Sequence, residues 1–251
     1  MSFRPMFNHK PKVAMRKLLK TLAHSVGYDI IRYAPPAPIK PFDLLPLLVR
    51  DRLTRTPEFT FVQVGANDGV ELDTLRELVV EHQLVGLLIE PIPSLFEQLR
   101  ANYRGHDQLK FEQCAIGSEN GTGTLYRIKP DAPLPKWTSL LASFDKAHLY
   151  KKIDLPNPDR FIEAMPVPTR TLLDVLKRHG MSDPTLLVID VEGFDGEVVR
   201  MTLDSGIRPA IIQYEWEHLP RREQSDCKRR LVEAGYHFVD VGTDTVAILK
   251  A

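Results

Sequence analysis

An α/β fold is what the sequence predicts, with a mostly parallel central sheet, helices on both faces and an antiparallel closing strand. Three observations predict it. Strand-like and helix-like segments alternate after Pro41, the pattern of βαβ units. Leu84–Ile89 and Leu186–Val191 are apolar runs without alternation, as strands buried on both faces should be. Tyr236–Val241 and Thr245–Leu249 flank Gly242 closely enough to pair as a closing hairpin,.

Taken in order, residues 1–40 read as a basic extension and 41–251 as one domain. Val13–Val26 has the spacing of a short basic helix, with Leu18, Leu22 and Val26 on one face and Gly27 as its stop. Tyr33–Pro38 follows as a stiff linker, because its prolines exclude a helix interior,. Phe59–Val64 is a strand ending at Gly65, and Glu71–Glu81 has helical spacing. Leu84–Ile89 is a strand, Ser94–Tyr103 a helix with Ser94 as N-cap, and Leu109–Ile116 the third strand,. Thr171–His179 is a helix stopped by Gly180, Leu186–Val191 a strand, and Asp195–Leu203 a helix opened by an acid that suits its dipole,. Ala210–Tyr214 is a strand and Arg222–Ala234 a charged helix ended by Gly235. Residues 125–168 break the rhythm with seven prolines and one short helical piece over Ser139–Tyr150. Such a stretch inside a compact domain is expected to be an insertion or lid facing a ligand.

Composition narrows the function. The chain has 251 residues, 33 Lys+Arg against 33 Asp+Glu, and 43% hydrophobic residues. Zero net charge argues against a general nucleic-acid binder, which needs a basic excess over phosphates. The charge is uneven: residues 1–20 carry six bases and no acid, leaving 27 bases against 33 acids elsewhere. Cys114 and Cys227 are too few for a disulfide framework or a four-thiolate zinc site,. No apolar run reaches the roughly 18–20 residues that span a bilayer. A cytoplasmic protein is expected, with the basic arm able to touch the inner face of an anionic membrane. The sequence carries no signal for an oligomeric state.

Ligands in open α/β sheets bind beyond the carboxyl ends of the strands. Those ends here are Gly65-Ala66-Asn67-Asp68-Gly69, Glu90-Pro91, Ala115-Ile116-Gly117, Asp190-Val191-Glu192-Gly193 and Glu215-Trp216-Glu217-His218. Gly65 and Gly69 bracket a tight turn where a ligand could approach backbone, with free N–H groups expected at the next helix. Asn67 breaks the dinucleotide G-x-G-x-x-G pattern, and Asp68 would repel a pyrophosphate,. Glu90 lies 21 residues past Gly69, where a carboxylate can accept bonds from both hydroxyls of a ribose,. An acid-lined glycine loop and a ribose-binding carboxylate describe S-adenosylmethionine, a nucleoside with a sulfonium cation and no phosphate.

The blocks Phe61-Val62-Gln63-Val64-Gly65-Ala66-Asn67-Asp68-Gly69, Ile89-Glu90-Pro91 and Leu187-Val188-Ile189-Asp190-Val191-Glu192-Gly193-Phe194-Asp195 resemble the FkbM-type methyltransferases. The resemblance runs from about residue 58 to 249 and takes in Ala-Ser-Phe at 142–144 and Tyr214-Glu215. Gln63 stands where the family often has Asp, and no acid at the end of the third strand is expected to face adenine. The resemblance implies a Rossmann-like class I methyltransferase fold. It also implies methyl transfer from S-adenosylmethionine to a hydroxyl of a carbohydrate, glycolipid or related natural product, a polysaccharide modification among them. The expected cofactor residues are Gln63, Gly65, Ala66, Asn67, Asp68, Gly69, Glu90, Pro91, Ala115 and Asp190. Asp190, Glu192 and His218 are the expected catalytic groups, with Glu192 as the acceptor-facing base or orienter and His218 able to titrate near neutral pH. Trp137, Glu215 and Trp216 are expected on the acceptor side. An alternative places a magnesium ion on Asp190, Glu192 and Glu215, as hard oxygen ligands permit. His106 and His148 show no ligand spacing. Two other functions fit the fold: a nicotinamide-dependent oxidoreductase, disfavoured by Asn67 and the lack of a Tyr-x-x-x-Lys pair, and a non-catalytic S-adenosylmethionine-binding module.

Overall fold

The structure, a computed structural model, describes residues 44–250 apart from 57, 72 and 74. The basic segment Val13–Val26 and the proline linker lie outside the described residues. The first half of the domain alternates helix and strand: α1 (Leu44–Arg55), β1 (Thr60–Val64), α2 (Arg76–His82), β2 (Val85–Ile89), α3 (Pro93–Asn102) and β3 (Leu109–Glu112). Then come β4 (Ala115–Ile116), β5 (Gly121–Ile128), a 3₁₀ turn at Lys136–Leu140, β6 (Ala142–Ser143), α4 (Lys146–Tyr150), a second 3₁₀ turn at Pro158–Phe161 and β7 (Ile162–Arg170). The chain closes with α5 (Leu172–Arg178), β8 (Leu186–Ile189), α6 (Asp195–Asp204), β9 (Ile211–Glu215), α7 (Arg221–Glu233), β10 (Tyr236–Val241) and β11 (Asp244–Leu249).

Seven strands form the main sheet in the order β10-β11-β9-β8-β1-β2-β3. β3, β2, β1, β8 and β9 are parallel, while β11 runs antiparallel to both β9 and β10. This is the α/β sheet with a closing hairpin that the sequence predicts. Every residue of β8 is buried, and side chains on its two faces enter two separate cores. Leu187 and Ile189 pack with α5, α6 and α7 residues such as Val175, Val199 and Leu231. Leu186 and Val188 pack with Leu45 and Val49 of α1, Leu78 of α2 and Leu99 of α3. Burial of one such side chain contributes about 1.5–3 kcal/mol, so this central strand anchors both layers. No helix among the described residues is long and apolar enough to cross a membrane.

Four local expectations are corrected. The helix expected from Glu71 starts at Arg76, because residues after Gly65 form a long turn held by Asp68 and Asp73. Ser94 is not the cap of α3: Pro93 opens that helix, Ile92 occupies the cap position, and the Ile92 N–H is taken by the Glu90 carboxylate. The third strand does not continue to Ile116. It leaves the main sheet after Glu112, and Ala115–Ile116 joins a different sheet. A run of strand-forming residues cannot reveal such a change of sheet.

The fourth correction concerns residues 125–168. Beyond the one short helical piece expected there, they form most of a second, four-stranded sheet in the order β4-β7-β5-β6. β5 and β7 pair antiparallel from Gly121↔Thr169 to Ile128↔Ile162. Pro166 and Pro168 are tolerated because β7 is an edge strand except where Thr169 and Arg170 meet β4,. The helix expected over Ser139–Tyr150 is broken into the 3₁₀ turn, β6 and α4, which Asp145 caps through the Ala147 N–H. A small core of its own, including Ile128, Leu141, Leu149 and Ile162, supports this sheet.

Candidate active site

One cleft opens beyond the carboxyl ends of β1, β2, β8 and β9, walled on its far side by the second sheet. Gln63, Gly65, Ala66, Asn67, Glu90, Pro91, Ala115 and Asp190 all line it, as does Glu192. Asp68 and Gly69 do not. The Asp68 carboxylate turns back to accept the Val70 and Glu71 N–H groups. Gly69 (φ 70°) faces α3, where a Cβ would lie 2.6 Å from Leu99 and Tyr103.

The glycine turn carries no free anion cradle. Gly65 and Ala66 N–H both donate to the Ile89 carbonyl, Asn67 N–H to Glu90 Oε2, Asp68 N–H to Asn67 Oδ1 and Gly69 N–H to the Ala66 carbonyl. Gly65 is needed for another reason: its φ is 83°, and a Cβ would sit 1.8 Å from the Asp190 carbonyl oxygen. The turn therefore packs directly on the end of β8.

Glu90 is 4% exposed at the tip of β2. Its Oε2 accepts from Asn67 N–H and its Oε1 from Ile92 N–H, each at 2.9 Å. Each oxygen keeps a lone pair for a further donor. Burial raises its pKa to about 7, with the two backbone bonds opposing. Gln63 of β1 and Gln213 of β9 lie in one row across Val188 of β8. Their amide nitrogens donate to Asp73 and Asp244, while both Oε1 atoms are buried with no hydrogen-bond partner. Such orphaned acceptors call for donors from a ligand. The cleft lining holds the carboxylates of Glu71, Asp73, Glu90, Asp190, Glu192 and Asp244 and, among the described residues, no Lys, Arg or His. A cationic nucleoside with an ammonium tail and ribose hydroxyls fits these groups. A dinucleotide pyrophosphate does not, which removes the nicotinamide alternative on electrostatic grounds.

The other wall is built where β8 meets the second sheet. Asp190 continues β8, and Glu192 follows in the left-handed region (φ 51°) with Gly193 at 94°. Left-handed backbone at a non-glycine residue costs about 1–2 kcal/mol and marks functional sites when surroundings enforce it. Here Asp195, fully buried at the start of α6, accepts from Val191 and Gly193 N–H. Ser143 Oγ donates to the Glu192 carbonyl at 2.8 Å. The buried His148 holds Glu192 Oε2 at 3.0 Å through Nε2.

His218 and Glu215 stand behind this wall and not in the cleft lining, 3.6 Å apart. The His148 and His218 rings meet edge to face at 4.8 Å. Lys152 Nζ lies 3.0 Å from His218 Nε2. Burial, then Lys152, holds His218 below the usual histidine range, so a neutral ring accepts from the ammonium. Trp137 is 45% exposed and away from the cleft. Trp216 packs partly buried on the core with Lys228 over its ring, so neither tryptophan presents a face to the cleft. Among the described residues, the metal-capable atoms that converge are those of His148, Glu192 and His218, and separately of Glu215, Glu217 and His218. The trio Asp190, Glu192 and Glu215 does not converge in this way, a correction to the magnesium alternative. His148, Lys152 and Gln213 are the site residues that sequence reasoning missed. Glu112 ends β3 as an acid, but it is tied to Arg170 and His179 and does not line the cleft.

This crowding of carboxyls sets a pH dependence. Burial, then neighbouring carboxylates, raises Asp195 and Glu215, the latter to about 8. A carboxyl raised on folding stabilises the protein fully below its unfolded pKa and loses that contribution as pH climbs through its folded pKa. The thermal midpoint of the ligand-free protein is therefore expected to fall between about pH 4 and about pH 8. Calorimetry giving a flat midpoint over that range would contradict this account.

Comparison with known proteins agrees with the geometry. The family described as the Methyltransferase FkbM domain matches residues 63–238. The 2-O-methyltransferase NoeI of Sinorhizobium fredii (strain NBRC 101917 / NGR234) is 26% identical over 151 residues, covering 59% of this chain. The match spans 58% of that relative's own length. Among solved structures, the N-terminal domain of human METTL16 in complex with SAH aligns with 14% identity and a TM-score of 0.42, covering 96% of this chain and 82% of that one. Fibrillarin from Aeropyrum pernix with natively bound S-adenosyl-L-methionine aligns with 10% identity and a TM-score of 0.37, covering 76% and 65%. With the family matched from residue 63 to residue 238, over more than half of its length, this chain belongs to the FkbM methyltransferase family.

Proposed function

We propose that the chain methylates a hydroxyl oxygen of a carbohydrate or glycolipid acceptor, with Glu192 as the group that takes the hydroxyl proton. The observation that carries this reading is the placement of Glu192. Its carboxylate lines the donor cleft while its backbone and Oε2 are pinned by Ser143 and His148 of the second sheet. Bound S-adenosylmethionine supplies an electrophilic methyl group. Glu90 holds the ribose end through its two spare lone pairs, and Gln63 and Gln213 accept from the ammonium tail. With the methyl donor bound, the acceptor oxygen would form its bond to the methyl carbon as the carbon–sulfur bond broke, with that electron pair staying on sulfur. The hydroxyl proton passes to Glu192, whose alignment His148 maintains. Fixing oxygen, methyl and sulfur in line is worth effective molarities of about 10⁵–10⁸ M. Carboxylates only accept hydrogen bonds, so a wall of Asp190 and Glu192 favours a polyol over an acidic acceptor. The 2-O-methyltransferase relative supports the same direction.

The test is transfer of an isotope-labelled methyl group from S-adenosylmethionine to a panel of oligosaccharides, with NMR of the product. An O-methyl carbon signal is expected. Label arriving on nitrogen or carbon instead would overturn the oxygen assignment.

A further inference from the structure

The cluster behind Glu192 has a composition that proton transfer alone does not require. His148 comes from α4 of the second sheet's insertion, Glu192 from the end of β8, and His218 from the loop after β9. These elements are far apart in sequence, yet one ligand atom from each lies within 4.8 Å of the others. Glu215 and Glu217 converge on the same His218. Two imidazoles and one carboxylate thus converge in the first group, with the Glu215 and Glu217 carboxylates next to it on the far side of His218. The cation present there is the ammonium of Lys152, 3.0 Å from His218 Nε2. Lys152 sits on the turn after α4 and is partly exposed, so its flexible side chain can withdraw to solvent.

We propose that His148, Glu192 and His218, with Glu215 in support, form a binding site for a divalent transition-metal ion, which competes with the Lys152 ammonium for the same place. Mixed imidazole and carboxylate donors suit Zn²⁺, Mn²⁺, Fe²⁺ or Co²⁺, whereas Mg²⁺ and Ca²⁺ favour oxygen alone. Glu192 would then be shared between the ion and the donor cleft. An ion there would hold the acceptor's oxygens and lower the pKa of the hydroxyl to be methylated. That functional role rests on the acceptor side proposed above; the binding itself does not.

The experiment is therefore a titration without cofactor or acceptor. Zn²⁺ binding to the full chain is followed by calorimetry and Co²⁺ binding by its visible absorption. Losing even an outer partner of a metal ligand costs about 10–100-fold in affinity, so His148→Ala and His218→Asn are each expected to weaken this site at least that much. Lys152→Met is expected to tighten it, because the competing charge is gone. S-adenosylhomocysteine binding, measured on every variant, reports whether the donor half of the domain is intact. His148→Ala removes a buried bond to Glu192, so the more accessible His218→Asn carries the decision if that variant does not fold. Zn²⁺ and Co²⁺ isotherms unchanged by His218→Asn, or no binding by the wild-type chain, would overturn the metal site while leaving methyl transfer untouched. Loss of S-adenosylhomocysteine binding by the wild-type chain would instead strike the donor reading.

Discussion

Glu90→Ala is expected to weaken binding of S-adenosylhomocysteine by about 10²–10⁴-fold. Two ribose hydroxyls donating to a buried carboxylate make charge-assisted bonds worth about 1.5–3 kcal/mol each, and each 1.4 kcal/mol is about tenfold in affinity. The structure adds a second cost. Glu90 also satisfies the N–H groups of Asn67 and Ile92, and Asn67 is held in the left-handed region at φ 51°. The alanine variant leaves both donors without that partner and frees the turn. Glu90→Gln keeps an acceptor oxygen and should lose less, which separates the ribose contacts from the scaffolding of the loop. Because Glu90 titrates near pH 7 and ribose donors favour its ionised form, wild-type affinity should rise with pH up to that point. Calorimetry on both variants checks the claim, and an alanine variant that binds like wild type would remove Glu90 from the cofactor site.

Glu192→Gln should behave differently, lowering turnover by about 10²–10⁴-fold, the usual contribution of a positioned base, with cofactor affinity nearly unchanged. Glutamine preserves the size and the left-handed backbone that Ser143 and Asp195 enforce, but it cannot take a proton. Steady-state rates beside cofactor dissociation constants give the comparison. Equal loss in both would make Glu192 a binding or folding residue. A deficit of the same size with and without added Zn²⁺ would separate this effect from the metal site, since Glu192 serves both.

The contrast between these two residues shows what could be read from the chain. Glu90 and Asp190 were legible because each follows a strand buried on both faces, and parallel strands place their carboxyl ends at one edge. The closing hairpin was legible from Gly242 and its flanks. The partner of Glu192 was not. His148 is 44 residues away, in a segment whose prolines suggested an insertion or lid. Pairing of β5 with β7 brings it into place, and such long-range pairing leaves no local periodicity. Gln213 was hidden for a related reason: a lone polar residue in an apolar strand gains meaning only beside Gln63 across Val188. Asp68 misled because its charge suggested a ligand contact, whereas short acidic side chains also close turns on their own backbone, as this one does.

The second sheet has its own small core and is latched to the donor side near Glu192 by Ser143, His148 and the edge-to-face pair of Phe144 with Phe194. Ile92 and Leu95 beside the main sheet also pack with Leu125 and Val167 of the second sheet, so the two sheets are expected to unfold as one cooperative unit.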